Sequence, residues 1–165
     1  MTLAEAAAEA EALAERGAER ELAQLRAEWA DELEGAARSS DFRERATAYR
    51  SIGQFRFRQK LELLRRGLDD ESPAVRGSAL LSLELLSRES PGPVNSVRPL
   101  LHGLADADPN AAVRRLAIVC LGHGSPQPDT IVILNGLAEN EEQDPAVSAA
   151  AKRVAQALRK KASAR

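Results

Sequence analysis

The chain of 165 residues has one cysteine, Cys120. A lone thiol closes no internal disulfide and supplies no Cys-rich zinc site, and it points to a reducing cytoplasm. Aromatics are only 3%, with a single Trp and a single Tyr, which argues against an aromatic-rich sandwich. No stretch approaches the roughly 20 apolar residues that span a bilayer. The start, MTLAEAAAEAEALAERG, has no apolar run of signal-peptide length. Strand-like alternation is absent throughout. Charge of one sign is not in excess either: the net charge is −2, which excludes a generally basic nucleic-acid binder but not a local basic patch.

Reactive constellations are equally scarce. No P-loop, dinucleotide fingerprint, H-E-x-x-H or EF-hand string occurs. Of the two histidines, His102 sits in a repeated slot that carries Arg66 and Asn135 elsewhere, which marks an exposed helix position. His123 lies in Gly122-His123-Gly124-Ser125, a turn that no strand precedes and no phosphate-binding Lys follows. Cys120, between Val119 and Leu121, reads as a buried inert thiol. No catalytic residue, cofactor or metal site is expected.

What is present is enough apolar residue, 44%, mostly Ala, Leu and Val, to build a core. Arg outnumbers Lys and Ala is abundant, the usage of a GC-rich bacterial genome. Charge comes in blocks. Residues 1–34 carry ten acids and three bases, residues 38–66 three acids and nine bases, residues 67–146 twelve acids and five bases, and residues 147–165 six bases and no acid. Such alternation suits contact between blocks or with a partner, or simply several solvated helix faces.

A short phrase recurs: Arg66-Gly67-Leu68-Asp69-Asp70, His102-Gly103-Leu104-Ala105-Asp106 and Asn135-Gly136-Leu137-Ala138-Glu139. Each copy leads into a polar turn with Pro (Ser72-Pro73, Asp108-Pro109, Asp144-Pro145), where Pro suits a first helical turn and Ser or Asp an N-cap. A second phrase follows: Val75-Arg76 with Ala79 and Leu83, Val113-Arg114 with Ala117 and Leu121, Val147-Ser148 with Ala151 and Ala155. Steps of four put these apolar residues on one helix face. Each unit therefore reads as helix, acidic turn, helix. Helices are expected near 3–15, 18–35, 41–53, 55–68, 73–88, 93–105, 109–122, 127–139 and 144–160, with Gly17 and Gly35 as breaks or C-caps.

These phrases resemble the HEAT repeat. "LDDESPAVRGSALLSL" and "LADADPNAAVRRLAIVCLG" match its Asp-containing turn followed by V-R-x-x-A-x-x-x-L, and "LAENEEQDPAVSAAAKRVAQAL" matches with Ser148 in place of the Arg. The resemblance covers about residues 55–158. A degenerate earlier copy sets Arg45 and Ala48 against Arg114 and Ala117, with Glu44 where Val is expected. The resemblance implies an all-α fold, a short right-handed α-solenoid of antiparallel helix pairs with 3–4 repeats. Residues 1–35 would be an N-terminal helical extension or cap, with Leu22, Leu25 and Trp29 packed on the first repeat or on a partner. Residues 36–165 would be the repeat domain. It also implies that Arg76 and Arg114 meet turn aspartates, with Asp70 and Asp106 as candidate acceptors.

The function this implies is non-catalytic: a protein-protein interaction module, scaffold or adaptor. The residues five and six places after the first Val of each second helix point largely away from it, about 140° and 240° round. They are Leu80, Leu81, Ile118 and Val119, with Tyr49 and Arg50 from the degenerate copy and Lys152 and Arg153 from the last. By the resemblance, second helices line the concave surface, so these eight would form an apolar strip flanked by bases, suited to an acidic amphipathic segment of another protein. Burial of the strip by neighbouring helices is the competing reading. Self-association through the N-terminal helices stays open. The alternative function is a nucleic-acid-binding or DNA-base-processing protein of the same architecture, supported only by Gln54-Phe55-Arg56-Phe57-Arg58-Gln59-Lys60, which interleaves aromatics with bases.

Overall fold

The computed structural model describes residues 1–164, and every regular element among them is helical. The helices are α1 (Leu3–Glu15), α2 (Glu19–Ala37), α3 (Phe42–Gln54), α4 (Leu61–Leu68), α5 (Pro73–Ser87), α6 (Gly92–Ser96), α7 (Arg98–Ala107), α8 (Ala111–Leu121), α9 (Pro128–Glu139) and α10 (Pro145–Ser163). A single 3-10 turn, Arg58–Lys60, precedes α4. The chain divides into two compact units, Met1–Leu86 and Ser87–Arg165. The boundary drawn from the sequence at residue 35 falls inside the first.

Short turns make consecutive helices pack as hairpins. In the first unit α2 packs on both α1 and α3, and α1 also lies along α3. Leu22, Leu25 and Leu33 are buried, while Trp29 is only half-buried. The Ala/Glu-rich segment is thus part of the fold of this unit. In the second unit α7 packs on α8, α9 on α10, and α10 lies along α8.

Most helix boundaries follow local chemistry. Thr2 starts α1 with a capping box: its Oγ1 accepts from the Glu5 N–H, and the Glu5 carboxylate accepts from the Thr2 N–H. Asp144 caps α10 by accepting from the Ala146 and Val147 N–H groups, with Pro145 in the first turn. Gly17 ends α1 with φ +71°, and the Ala18 N–H reaches back to the Leu13 carbonyl.

Several boundaries differ from the sequence expectation, α10 running on to Ser163 among them. Gly35 lies inside α2, which runs to Ala37. The segment expected as one helix from 93 splits into α6 and α7 at Val97, because Pro99 has no N–H for the Asn95 carbonyl and its ring crowds that oxygen. The helix expected from 55 starts only at Leu61. Arg56 takes φ +57° and closes α3, with the Phe57 N–H bonded to the Ile52 carbonyl. That reversal buries Phe55 and Phe57, whose ring centroids are 5.3 Å apart. Finally, α8 starts after Pro109, with Asn110 as the cap.

Candidate functional site

The second helices α3, α5, α8 and α10 share one register. Counted from Glu44, Val75, Val113 and Val147, the residues four places on (Ala48, Ala79, Ala117, Ala151) are all buried. So are those eight places on: Ile52, Leu83, Leu121 and Ala155. Five places on, Tyr49, Leu80 and Ile118 are buried too, at 3%, 0% and 0% exposure, whereas Lys152 is exposed. Six places on, Leu81 is 39% exposed, Arg153 is exposed, and Arg50 and Val119 are half-buried.

This corrects the expected strip. Tyr49, Leu80 and Ile118 are core and present nothing to a partner. The reason is that a second helix in a stack has two covered sides. In α3 and α8 it buries one face on its own hairpin and a flank on the next, so the buried arc extends to about 140° from the reference position. Tyr49 shows the flank directly: a Cβ added to Gly67 of α4 would stand 2.5 Å from its ring. Burial pushes the Tyr49 hydroxyl pKa up, and the nearby Asp70 carboxylate adds to the shift. On α8 the flank that holds Ile118 belongs to a helix with α10 alongside it. Among the described residues no helix lies beyond α10, and there the fifth position is a lysine.

The exposed part of the second unit holds residues the spacing argument passed over. Arg115 is exposed and Leu116 half-buried, beside Val119 on α8. On α10 the open face carries Ala149, Lys152, Arg153, Gln156 and Lys160. Neither helix contains an acidic residue. The side chains of Arg115, Lys152, Arg153 and Lys160 make no hydrogen bond or ion pair among the described residues. Testing two and three places after the first Val, as well as five and six, would have found Arg115 and Leu116. In the first unit the exposed remainder is Leu81, with Arg50 half-buried.

A second recurring set fastens the turns. Arg45 donates from Nε and Nη2 to both Asp70 carboxylate oxygens, at 3.0 and 3.1 Å, and from Nη1 to the Ser39 and Ser40 carbonyls at 3.0 and 3.2 Å. Arg76 donates to the Asp70 and Glu71 carbonyls at 2.9 and 3.2 Å. Arg114 donates to the Asp108 carbonyl at 2.7 Å and to Gln143 Oε1 at 3.1 Å. Each arginine thus secures the turn before its own helix, and Arg45 and Arg114 also reach a side chain in a later turn. The implied acceptors change accordingly. The Asp70 carboxylate takes Arg45, and Arg76 takes the Asp70 backbone. Asp106 lies exposed within α7 and gives way to Asp108 and Gln143. Arg45 also settles the register of the degenerate copy, since it makes the turn contact that Arg76 and Arg114 make.

Burial alone would raise the Asp70 pKa. The Arg45 hydrogen bonds, the Ser72 N–H at 2.9 Å and the charges of Arg45 and Arg76 outweigh it and hold the group below its ordinary 3.8. A carboxyl lowered on folding contributes stability that is present above its unfolded pKa and lost as pH falls through the folded value. Asp70→Asn keeps an acceptor for Ser72 but loses the charge. It is expected to lower the thermal midpoint by several degrees at pH 7. The deficit should shrink as pH falls below 3.8, when the wild-type carboxylate is protonated as well. Melting curves at neutral and acid pH check this, and a deficit independent of pH would contradict it.

Cys120 is buried at 1% exposure. His102 is half-buried rather than exposed, with Nε2 2.8 Å from Thr130 Oγ1. Burial lowers its pKa, partly opposed by Asp129. Phe55 and Phe57 are buried at 0% and 2% exposure, so the aromatic-basic stretch offers no ring on which a base could stack. Among the described residues no group of three or more His, Cys, Asp or Glu is placed to hold a metal ion. No helix among them is long and apolar enough to cross a membrane.

Helix hairpins joined by polar turns, with the same arginine securing successive turns, define an α-helical repeat protein. Residues 30–102 match the family model for HEAT repeats. The match takes in the Arg45 copy and the Val75 copy. No curated protein matches the chain.

Proposed function

We propose that the chain is a non-catalytic protein-binding module that takes an acidic amphipathic segment of another protein on the open face of α8 and α10. One observation carries this reading. Two helices packed side by side hold seven bases and no acid, with Leu116 and Val119 half-exposed among the charges. A partner helix with acids flanking an apolar stripe would pair with the bases and cover the apolar residues. HEAT repeats commonly mediate protein interactions, which agrees with this reading. Leu81 with Arg50 is a smaller patch of the same composition in the first unit.

The test is fluorescence anisotropy with a labelled synthetic acidic amphipathic helix, and in parallel with labelled duplex DNA. Lys152→Glu/Arg153→Glu is expected to weaken peptide binding by about tenfold or more, and added salt should weaken the wild type. Peptide binding unchanged in the variant would refute the site. Tighter binding of DNA than of peptide would favour the nucleic-acid alternative, because an acid-free basic face also suits phosphates.

A further inference from the structure

The acidic helix that the α8–α10 face fits is present in the chain itself. We propose that the face of α1 and α2 in one copy docks on α10 of a second copy, so that the protein self-associates head to tail. The inference rests on the proposed basic binding face and names its partner.

The two faces are opposite in charge and alike in shape. On α1 and α2 the exposed ionisable residues are Glu5, Glu9, Glu15, Glu19, Glu21, Glu28, Asp31 and Glu32, against Arg16 and Arg20. On α10 they are Lys152, Arg153, Arg159, Lys160 and Lys161, with no acid. Glu9, Glu28, Asp31 and Glu32 have no partner among the described residues, just as Lys152, Arg153 and Lys160 have none. The middle of the open face of α1 is a row of exposed alanines at steps of four, Ala4, Ala8 and Ala12, with Glu5 and Glu9 on its flank. The open face of α10 has Ala149 and Ala157 beside its bases. Small residues facing each other let helix axes approach to about 8 Å, and long charged side chains on the flanks can then reach across. An open groove of about 730 Å³ that includes Ala4 and Glu32 leaves room for side chains at one end of this face.

The register of the repeats shows how such a pair would sit. In the second unit α10 lies along α8, and in the first α3 lies along α1. Each is a helix covering the flank of another two places earlier in the chain. The position such a neighbour covers is a large side chain, Tyr49 in α3 and Ile118 in α8. In α10 the equivalent position is the exposed Lys152. The open flank of α10 therefore has the geometry that receives a neighbouring helix and the charge that selects an acidic one. α1 of a second copy would lie against α10 as α10 lies against α8.

Charge also decides the symmetry. A two-fold contact of α1–α2 with α1–α2 sets acids against acids, and α10 with α10 sets bases against bases. Only the mixed contact attracts. A mixed contact uses different patches on the two copies, so each copy keeps one free patch and association can continue beyond a dimer.

Sedimentation velocity across a concentration series tests this. At low salt the mean mass should rise with concentration above that of one chain, and about 0.5 M salt should return it to the monomer. Glu5→Gln/Glu9→Gln and Lys152→Gln/Arg153→Gln/Lys160→Gln change only exposed residues. Circular dichroism confirms that each variant is folded. Each alone is expected to be monomeric, and an equimolar mixture should form a one-to-one dimer, since each supplies the face the other lacks. Association that persists in the α10 variant alone would overturn the mixed contact. A wild type that stays monomeric at low salt while it still binds the acidic peptide would overturn self-association and leave the peptide-binding face standing. Loss of both would remove the face itself.

Discussion

Ile118→Asp should abolish the native fold, whereas Val119→Asp, one residue along, should leave it intact. Ile118 is fully buried, its flank of α8 lying in the packed core of the second unit. A carboxylate there loses its hydration and gains no partner, so it either stays charged at prohibitive cost or takes up a proton. The isoleucine contacts are lost as well. Together these effects exceed about 4–5 kcal/mol, a large share of the 5–15 kcal/mol that holds a typical domain together. Val119 lies about 100° further round the helix and is only half-buried, so Asp there can reach water and should cost about 1 kcal/mol. Leu80→Asp and Leu81→Asp form the same pair in α5, with Leu80 fully buried and Leu81 39% exposed. Circular dichroism with urea titration separates the members of each pair. A folded Ile118→Asp variant of near wild-type midpoint would contradict the placement of the fifth position in the core. Once the fold is known to survive, Val119→Asp also reports on the binding face, where it should weaken an acidic partner.

The sequence carried the helices further than the surface. Steps of four from Val75, Val113 and Val147 located the buried Ala79, Ala117 and Ala151 and placed the second helices to within a residue or two at most ends. Periodicity marks the centre of a buried face well, because only one arrangement of a hairpin covers it. It does not say how wide that face is. Tyr49 and Ile118 lie beyond the centre, and their burial depends on the next hairpin, a tertiary fact that no single helix records. One residue did hold the information. Lys152 occupies the same place as Tyr49, Leu80 and Ile118, and a lysine in a slot otherwise filled by large, mostly apolar side chains marks a flank left open. The arginine contacts were legible as a repeated placement, but their acceptors were not. Backbone carbonyls carry no signature in the sequence, and Arg76 takes those of Asp70 and Glu71.

Gly53→Ala should be the most damaging of the conservative changes. Gly53 lies in the last turn of α3, where that helix crosses α5 closely. An added Cβ would stand 2.7 Å from the Cα of Ser82, 2.9 Å from its Oγ and 3.0 Å from its Cβ. The nearest atom is backbone, so no rotamer change relieves the contact and the helices must move apart. Separation would also disturb the buried Ser82 hydroxyl, which accepts from the Gly53 N–H at 2.9 Å and donates to the Tyr49 carbonyl, with the Arg50 carbonyl 3.0 Å away. Overpacking and a strained buried hydrogen bond together are expected to cost about 3 kcal/mol, despite the better helix propensity of alanine. Adding Ser82→Gly removes two of the three close atoms but not the Cα, so the double variant should recover only part of the loss. Gly103→Ala and Gly136→Ala are the internal controls. No atom lies within 4 Å of a Cβ built at either position, and each should gain about 0.5–1 kcal/mol from propensity alone. Urea titrations of the four variants measure this series. A Gly53→Ala midpoint equal to that of the wild type would mean that α3 and α5 do not meet at backbone distance. A full recovery by Ser82→Gly would mean that the side chain, rather than the backbone, sets the approach of the two helices.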